Sequence, residues 1–152
     1  MGSMICNKIG LAGEFRVMSE LLLRGHNPAK SYLEEGADIV LENGKRVEVK
    51  SGHKCHSSHR ATDRGKGYRE RGIYSFTLKG GGRRQQQNLV HCDFIILWCI
   101  DDDCFFILPM ATVNVGAISI ANTSGDNKWM AYKNRWDLLK KAEERREGDN
   151  SL

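Results

Sequence analysis

The sequence predicts an α/β fold in a single domain, and three stretches carry that prediction. Residues 8–24 place apolar side chains at helical spacing and end at Gly25, the usual position of a glycine after a helix. Residues 37–50 are two short runs rich in β-branched residues around Asn43-Gly44, which indicates a β-hairpin. Asp93–Ile100 is continuously apolar after its first residue, as is typical of a buried central strand.

The length and composition bound the class of protein. The 152 residues suit one domain with its own core, which we place at residues 4–147. Residues 1–3 resemble a remnant of expression cloning, and residues 148–152 are expected to form a flexible tail. No apolar run reaches membrane-spanning length, and five cysteines without a Cys-x-x-Cys pair suit free thiols in a reducing compartment. The sequence therefore predicts a cytoplasmic protein that has no membrane segment.

Shorter signals predict the other elements. Trp136, Leu139 and Ala142 are spaced three apart and would face inward from a last helix. The further elements are a strand at Ala29–Leu33, a turn at Asp101–Asp103, a returning strand at Cys104–Leu108, a strand within Thr112–Ile120 interrupted by Gly116, and the last helix at Arg135–Arg146 with Asn134 as its cap.

The register of the hairpin follows from its pattern. A two-residue Asn-Gly turn would pair Ile39 with Glu48 and so mix apolar with charged side chains. A three-residue loop with Gly44 left-handed pairs Ile39 with Val47 and Asp38 with Glu48, which leaves one clean apolar face. We therefore predict the three-residue loop.

This register places two carboxylates against each other. The Cβ atoms of Asp38 and Glu48 would be roughly 5 Å apart, where like charges oppose pairing, and Lys50 projects from the same face. Two facing carboxylates suit a divalent cation, and hard oxygen ligands suit Mg²⁺. A solvated strand face with scattered charge is the alternative, and the hairpin alone favours neither interpretation.

A third carboxylate lies on the helix. At 100° per residue Glu14 falls inside the apolar arc, whereas Glu20 points the opposite way. A carboxylate on a buried face is costly unless it is paired or metal-bound, so a metal site and an ordinary ion pair both remain open. The predicted arc comprises Leu11, Phe15, Met18 and Leu22, widened by Val17 and Leu21.

Positive charge is concentrated between residues 51 and 92. The chain carries a net charge of +4, but this stretch alone carries +7 and leaves −3 for the rest. Arginine and lysine interleaved with glycine and aromatic residues are what a phosphate backbone and exposed bases engage, although a solvated surface loop has a similar composition. The side chains predicted to contact DNA are Lys54, Arg60, Arg64, Lys66, Arg69, Arg71, Arg83 and Arg84.

The same stretch contains a cluster of potential zinc ligands. His53, Cys55, His56 and His59 are all competent ligands, but their spacing fits no usual zinc template. A zinc-stabilised interaction domain is therefore a weaker alternative to a polar loop near phosphate.

The hairpin and the helix together resemble a known family. Asp38 followed by Glu48-Val49-Lys50 on the next strand resembles the signature of the PD-(D/E)XK nuclease superfamily, with Ala37 where that family usually has proline. Gly13-Glu14 is similar to the acidic position on the first helix of many members. The strand, acidic turn and strand over 93–109 resemble small nucleases related to intron-encoded homing endonucleases, and archaeal Holliday junction resolvases share that core.

The resemblance implies a fold, an activity and a site. The fold would be a restriction-endonuclease-like core, a central mixed β-sheet flanked by helices. The activity would be Mg²⁺-dependent hydrolysis of DNA phosphodiester bonds, with Mn²⁺ able to substitute. Asp38, Glu48, Glu14 and the carbonyl of Val49 would hold the metal, and Lys50 would act on the attacking water or the phosphate. Cutting both strands of a duplex implies a homodimer, and a non-catalytic nucleic-acid-binding module of the same fold is the alternative.

Overall fold

The computed structural model describes residues 2–32, 37–56, 72–78 and 92–140, and at Gly2, Ser3 and His56 it describes the backbone alone. This part of the chain contains one α-helix and eight β-strands, joined by turns and short 3₁₀ segments. The elements are α1 (Gly2–Leu23), β1 (Ala29–Lys30), β2 (Ile39–Val40), β3 (Arg46–Gly52), β4 (Cys55–His56), β5 (Gly72–Thr77), β6 (Phe94–Cys99), β7 (Cys104–Pro109) and β8 (Ala117–Ile120).

The strands form a large sheet and a small one. The large sheet has five strands in the order β1-β2-β3-β6-β7, and the small sheet has the order β4-β5-β8. Within the large sheet β3 and β6 are parallel, whereas the other neighbours are antiparallel. The predicted α/β class with a central mixed sheet is confirmed.

The large sheet lies between two apolar layers. Along β6 the side chains alternate, so that Ile95 and Leu97 join the small sheet while Phe94 and Ile96 join α1. All four are buried, which explains why this strand is recognisable in the sequence as an unbroken apolar run. The predictions for β6 and for the antiparallel return of β7 are confirmed.

The hairpin adopts the predicted register. Ile39 pairs with Val47, and the Leu41 N–H donates to the Lys45 carbonyl at 2.8 Å, which closes a three-residue loop. Gly44 has a φ of 83°, the left-handed conformation that glycine adopts without steric cost. Continuing this register by one residue places Asp38 opposite Glu48.

Helix α1 contacts the sheet through one edge of the predicted apolar arc, where Val17 and Leu21 lie, rather than through its centre. Gly13, Val17 and Leu21, each four residues apart, are buried against the sheet, whereas Leu11 and Leu22 are exposed. A Cβ atom on Gly13 would collide with the side chain of Ser51 on β3, so glycine is what lets the helix approach this closely. The apolar arc of α1 is therefore wider than the part of the helix surface that the sheet covers.

Three further predictions are corrected. Strand β1 ends at Lys30 rather than at Leu33, and β8 is Ala117–Ile120, which is only the part of the predicted strand that follows Gly116. The predicted helix from Arg135 is a 3₁₀ turn over Trp136–Leu139, after which the backbone is extended at Lys140. Asn134 does not cap it, because Arg135 is the N-cap and Asn134 is left-handed with a φ of 54°. Trp136 and Leu139 are nevertheless buried, as predicted, and Ala142 lies outside the described residues.

The state of the cysteines matches the prediction made from the composition. All five cysteines are free, as predicted. Cys6 and Cys55 are exposed, and the other three are buried. No helix in the described part of the chain is long and apolar enough to cross a membrane.

The close approach of α1 to β3 predicts opposite effects for two glycines of the helix. Gly13→Ala should lower the free energy of unfolding by roughly 1–3 kcal/mol, because overpacking against Ser51 outweighs the gain in helix propensity of about 1 kcal/mol. Gly10→Ala is the matched control, since nothing lies within 4 Å of its Cβ position, and it should raise the stability. Urea unfolding measures both, and a stabilised Gly13→Ala protein would contradict the packing described here.

Candidate active site

The site lies at the start of β2, where the neighbouring strand β3 extends beyond it. Strand β2 begins at Ile39, opposite Val47, while β3 continues to Gly52. The Val49 N–H on β3 lies beyond the pairing with β2, and the Asp38 carboxylate accepts its hydrogen bond at 2.8 Å. In an extended strand the N–H and C=O of one residue point to the same side, so the Val49 carbonyl also points toward this opening.

Glu48 lies opposite Asp38 and is largely buried. Its side chain is 19% exposed, and Lys50 Nζ lies 3.5 Å from its carboxylate. Burial, followed by repulsion from Asp38, raises the pKa of Glu48 to about 7, although Lys50 acts to lower it. The charged form of Glu48 is therefore unfavourable near neutral pH unless further positive charge arrives.

Glu14 reaches the same place from α1. Its side chain is 18% exposed and forms an ion pair with Lys30 at 3.5 Å. Burial and then the charge of Asp38 raise the pKa of Glu14, and the two carboxyl groups are close enough to share a hydrogen bond. The predicted residues Glu14, Asp38, Glu48 and Lys50 are thus brought together.

Glu20, which was predicted to point the opposite way from the apolar arc, is not exposed to solvent. Glu20 is as buried as Glu48, at 19% exposed, but it lies between Arg16 at 2.9 Å and Arg24 at 3.4 Å. Two arginines offset its charge, whereas Glu14 has one lysine and faces another carboxylate. Of the two helix carboxylates, Glu14 is the one in a repulsive environment.

The sequence reasoning missed Lys30. This residue lies on β1, pairs with Ile39 across the strands, and places its ammonium 3.5 Å from Glu14 and 5.2 Å from the centre of the Phe15 ring. The two-residue strand Ala29–Lys30 carries little periodicity, so no pattern in the sequence locates its side chains. The only available signal was the short strand predicted at this position.

The donor set fits a hard divalent cation, although these donors are not preassembled around a common centre. In the described ranges no group of three His, Cys, Asp or Glu side chains stands ready to hold a metal ion. Glu14, Asp38 and Glu48 nevertheless supply only oxygen donors, and burial followed by repulsion from Asp38 raises the pKa of Glu14 and of Glu48. At present Lys30 and Lys50 occupy the positions of the neutralising charges, so a metal would enter by displacing them.

The acidic turn after β6 has a structural role. Asp101 accepts a hydrogen bond from the Lys54 N–H at 2.6 Å, and Asp102 accepts one from the Tyr74 hydroxyl at 2.9 Å. Arg16 donates to both oxygens of Asp103, at 3.2 and 3.0 Å. The three aspartates thus tie the end of β6 to the residue before β4, to β5 and to α1, which agrees with the turn predicted at Asp101–Asp103.

The predicted DNA contacts are described only at Lys54. Its ammonium lies 3.3 Å from Asp102 and 5.8 Å from the centre of the Tyr74 ring, so its charge is already engaged. The other seven, Arg60, Arg64, Lys66, Arg69, Arg71, Arg83 and Arg84, lie outside the described residues.

The zinc alternative is tested only in part. His53 Nδ1 lies 2.9 Å from Asp101 Oδ1, and Cys55 is exposed with its thiol directed at the His53 carbonyl. Neither side chain is oriented toward a common centre by these contacts. The side chain of His56 and all of His59 lie outside the described part of the chain.

Comparison with solved structures finds the same architecture elsewhere. The chain is similar to a bacterial homing endonuclease, I-Ssp6803I, with a TM-score of 0.64 and 16% sequence identity over 95% of this chain and 96% of that one. The fold is homing-endonuclease-like. No protein-family model and no curated protein matches this sequence. At this identity the match establishes the arrangement of the elements.

The raised pKa of Glu48 predicts how stability depends on pH. The folded state binds the proton of Glu48 more tightly than the unfolded chain, so without metal the free energy of unfolding should fall as pH rises from 4.5 to about 7. Glu48→Gln should remove that decline and stabilise the protein at pH 8 by up to about 3 kcal/mol. Chemical denaturation in a chelating buffer at pH 5 and pH 8 measures the difference.

Glu20→Gln is the control for this experiment. Glu20 has the same exposure but two arginine partners, so its replacement should not stabilise the protein at either pH. Equal effects of the two substitutions at pH 8 would show that Glu48 is not in a repulsive site.

Proposed function

We propose that this protein is a Mg²⁺-dependent DNA endonuclease of the PD-(D/E)XK type. The observation that carries the proposal is the convergence of Glu14, Asp38 and Glu48, with Lys50 beside them, at the opening between β2 and β3. The homing-endonuclease-like fold supports it, because the solved structure that this chain resembles, I-Ssp6803I, is itself described as a homing endonuclease. The alternative of a non-catalytic binding module would not require a costly cluster of buried carboxylates.

The roles of the residues follow from their chemistry. Asp38, Glu48 and the Val49 carbonyl would hold the metal, with Glu14 completing the acidic group, and Mn²⁺ could replace Mg²⁺. When bound, the ion would lower the pKa of a water molecule and offset the negative charge that develops on the phosphate. Lys50 stands 3.5 Å from Glu48, and once that carboxylate binds metal its ammonium can turn to the scissile phosphate or the attacking water.

Binding and assembly belong to the same proposal. The basic residues Arg60, Arg64, Lys66, Arg69, Arg71, Arg83 and Arg84, together with Lys54, would neutralise DNA phosphates. Breaking both strands of a duplex requires two such sites, so the active form would be a homodimer.

The proposal predicts that Asp38→Asn abolishes cleavage while leaving DNA binding nearly intact. The substitution removes a metal ligand and keeps an acceptor for the Val49 N–H, so the strand geometry should persist. Asp126→Asn is the matched control, since Asp126 is exposed and far along the chain from the acidic group. Plasmid cleavage in Mg²⁺ and a mobility-shift assay in chelator measure the two activities. Cleavage by Asp38→Asn at the wild-type rate would defeat the assignment of this site and favour the binding module.

Lys50→Ala is predicted to separate chemistry from metal binding. Its cleavage rate should fall strongly, whereas Mn²⁺ affinity should stay the same or rise, because Lys50 now competes for Glu48. Cleavage rates and calorimetric Mn²⁺ titration of the same preparation measure both. Loss of metal binding in Lys50→Ala would contradict the division of roles.

A further inference from the structure

Helix α1 carries a continuous apolar seam on the face turned away from the sheet. Four apolar members of this seam are exposed in the structure, with Met4 at 65%, Leu11 at 42%, Phe15 at 56% and Leu22 at 58%, and a fifth, Met18, is half-buried. These four side chains do not cover the sheet, which Gly13, Val17 and Leu21 contact, whereas Met18 packs partly against the core beneath the helix. The seam consists of Met4, Lys8, Leu11, Phe15, Met18 and Leu22.

The spacing of the seam is that of a coiled coil. Its members alternate by four and three residues from Met4 to Leu22, which is the a/d pattern of a heptad repeat. Residues with this 3.5-residue period stay on one side of a helix and interlock with the same pattern on a second helix. The period therefore points to a helix as the partner of this face.

The first half of α1 needs a partner for its own stability. Residues 4–12 are exposed apart from a partial burial of Ile9, so this end of the helix projects beyond the sheet. A helical segment of fewer than about 12–15 residues is marginal in water without tertiary contacts. Packing along the seam would supply contacts to these turns.

The apolar area is large enough for a dimer. The exposed seam residues Met4, Leu11, Phe15 and Leu22, together with Ile5 and Leu23 beside them on the helix, expose on the order of 600 Å² of apolar surface, at the upper end of what a monomer usually shows. A standard protein interface takes about 800 Å² from each partner. The seam and its polar margin therefore match one side of such an interface.

We propose that α1 of a second copy of this chain packs on the seam, antiparallel to the first. A parallel pair would place the two Lys8 side chains against each other, whereas an antiparallel pair places Lys8 opposite Met18. The antiparallel register that engages all six positions also sets Leu11 opposite Phe15 and Met4 opposite Leu22. The interface is then self-complementary, as two-fold symmetry requires.

The inference rests on the proposed function only where it concerns DNA. Each copy carries its own Glu14, Asp38 and Glu48, so a monomer can nick one strand, while two copies joined through α1 can break both strands in one encounter. The seam variants should therefore retain nicking and lose concerted linearisation of a plasmid. Absence of any cleavage by the wild type would defeat the proposed function and leave the dimer proposal to sedimentation.

Sedimentation equilibrium of the full chain tests the interface. The wild type should be a dimer, and Leu11→Glu/Leu22→Glu should raise the dissociation constant at least about tenfold, because four charges would be buried in the seam. Cys6→Glu is the matched control, since it adds the same charge on the same helix about 160° around from Leu22 and should leave the dimer intact. A monomeric wild type, or an unchanged dimer in the double variant, would overturn the proposal.

Two further variants guard against loss of folding and test the orientation. Met4→Glu lies outside the sheet contact, so it cannot disturb the core, and it should also weaken the dimer. Met4→Lys/Leu22→Glu should restore much of the affinity lost in Leu22→Glu, because positions 4 and 22 face each other only in the antiparallel pair. No restoration would overturn the antiparallel arrangement, and an unweakened Met4→Glu dimer would overturn the seam itself.

Discussion

The pairing of Ile39 with Val47 is the constraint on which the rest of the site depends. A slip of one residue would turn every side chain of the strand to the other face and separate Asp38 from Glu48. Burying an aliphatic side chain contributes about 1.5–3 kcal/mol, whereas like charges across a strand pair cost at most about 1 kcal/mol. The apolar face therefore wins, and the two carboxylates are held together against their repulsion. Gly44 makes this register possible because the loop requires its left-handed conformation.

Two lysines offset part of the energetic cost of holding the carboxylates close together. Lys30 and Lys50 offset part of the charge of Glu14 and Glu48, which lets the protein fold without a metal. Both lysines lie 3.5 Å from their carboxylate partners, a long distance for an ion pair. Such pairs are easily replaced by a stronger cation. The two lysines that the metal displaces would then be free to bind a phosphate group of the DNA. Metal binding and substrate binding would therefore be coupled.

Local patterns predicted more of this structure than long-range ones. The hairpin register could be deduced because period two and the turn type act within fourteen residues, and β6 because it is buried on both faces. The buried face of α1 could not be deduced in the same way. Hydropathy favours the seam, whereas the sheet contacts the residues four apart that begin with Gly13. Lys30 was missed because its position depends on a tertiary pairing. The prediction of the last helix was wrong because the three-residue spacing of Trp136 and Leu139 buries both side chains in a 3₁₀ turn as well as in an α-helix.

The central claim is that the three carboxylates form a divalent-cation site. Its most direct test is the unfolding midpoint of the wild type and of Asp38→Asn at pH 8, with increasing MgCl₂ at constant ionic strength. A ligand that binds only the folded state stabilises it by about 2.7 kcal/mol at a hundred times its dissociation constant, so the wild-type midpoint should rise with Mg²⁺. Asp38→Asn should start with an equal or higher midpoint in chelator and respond little to the metal. An equal rise in both proteins, or none in the wild type, would contradict the account.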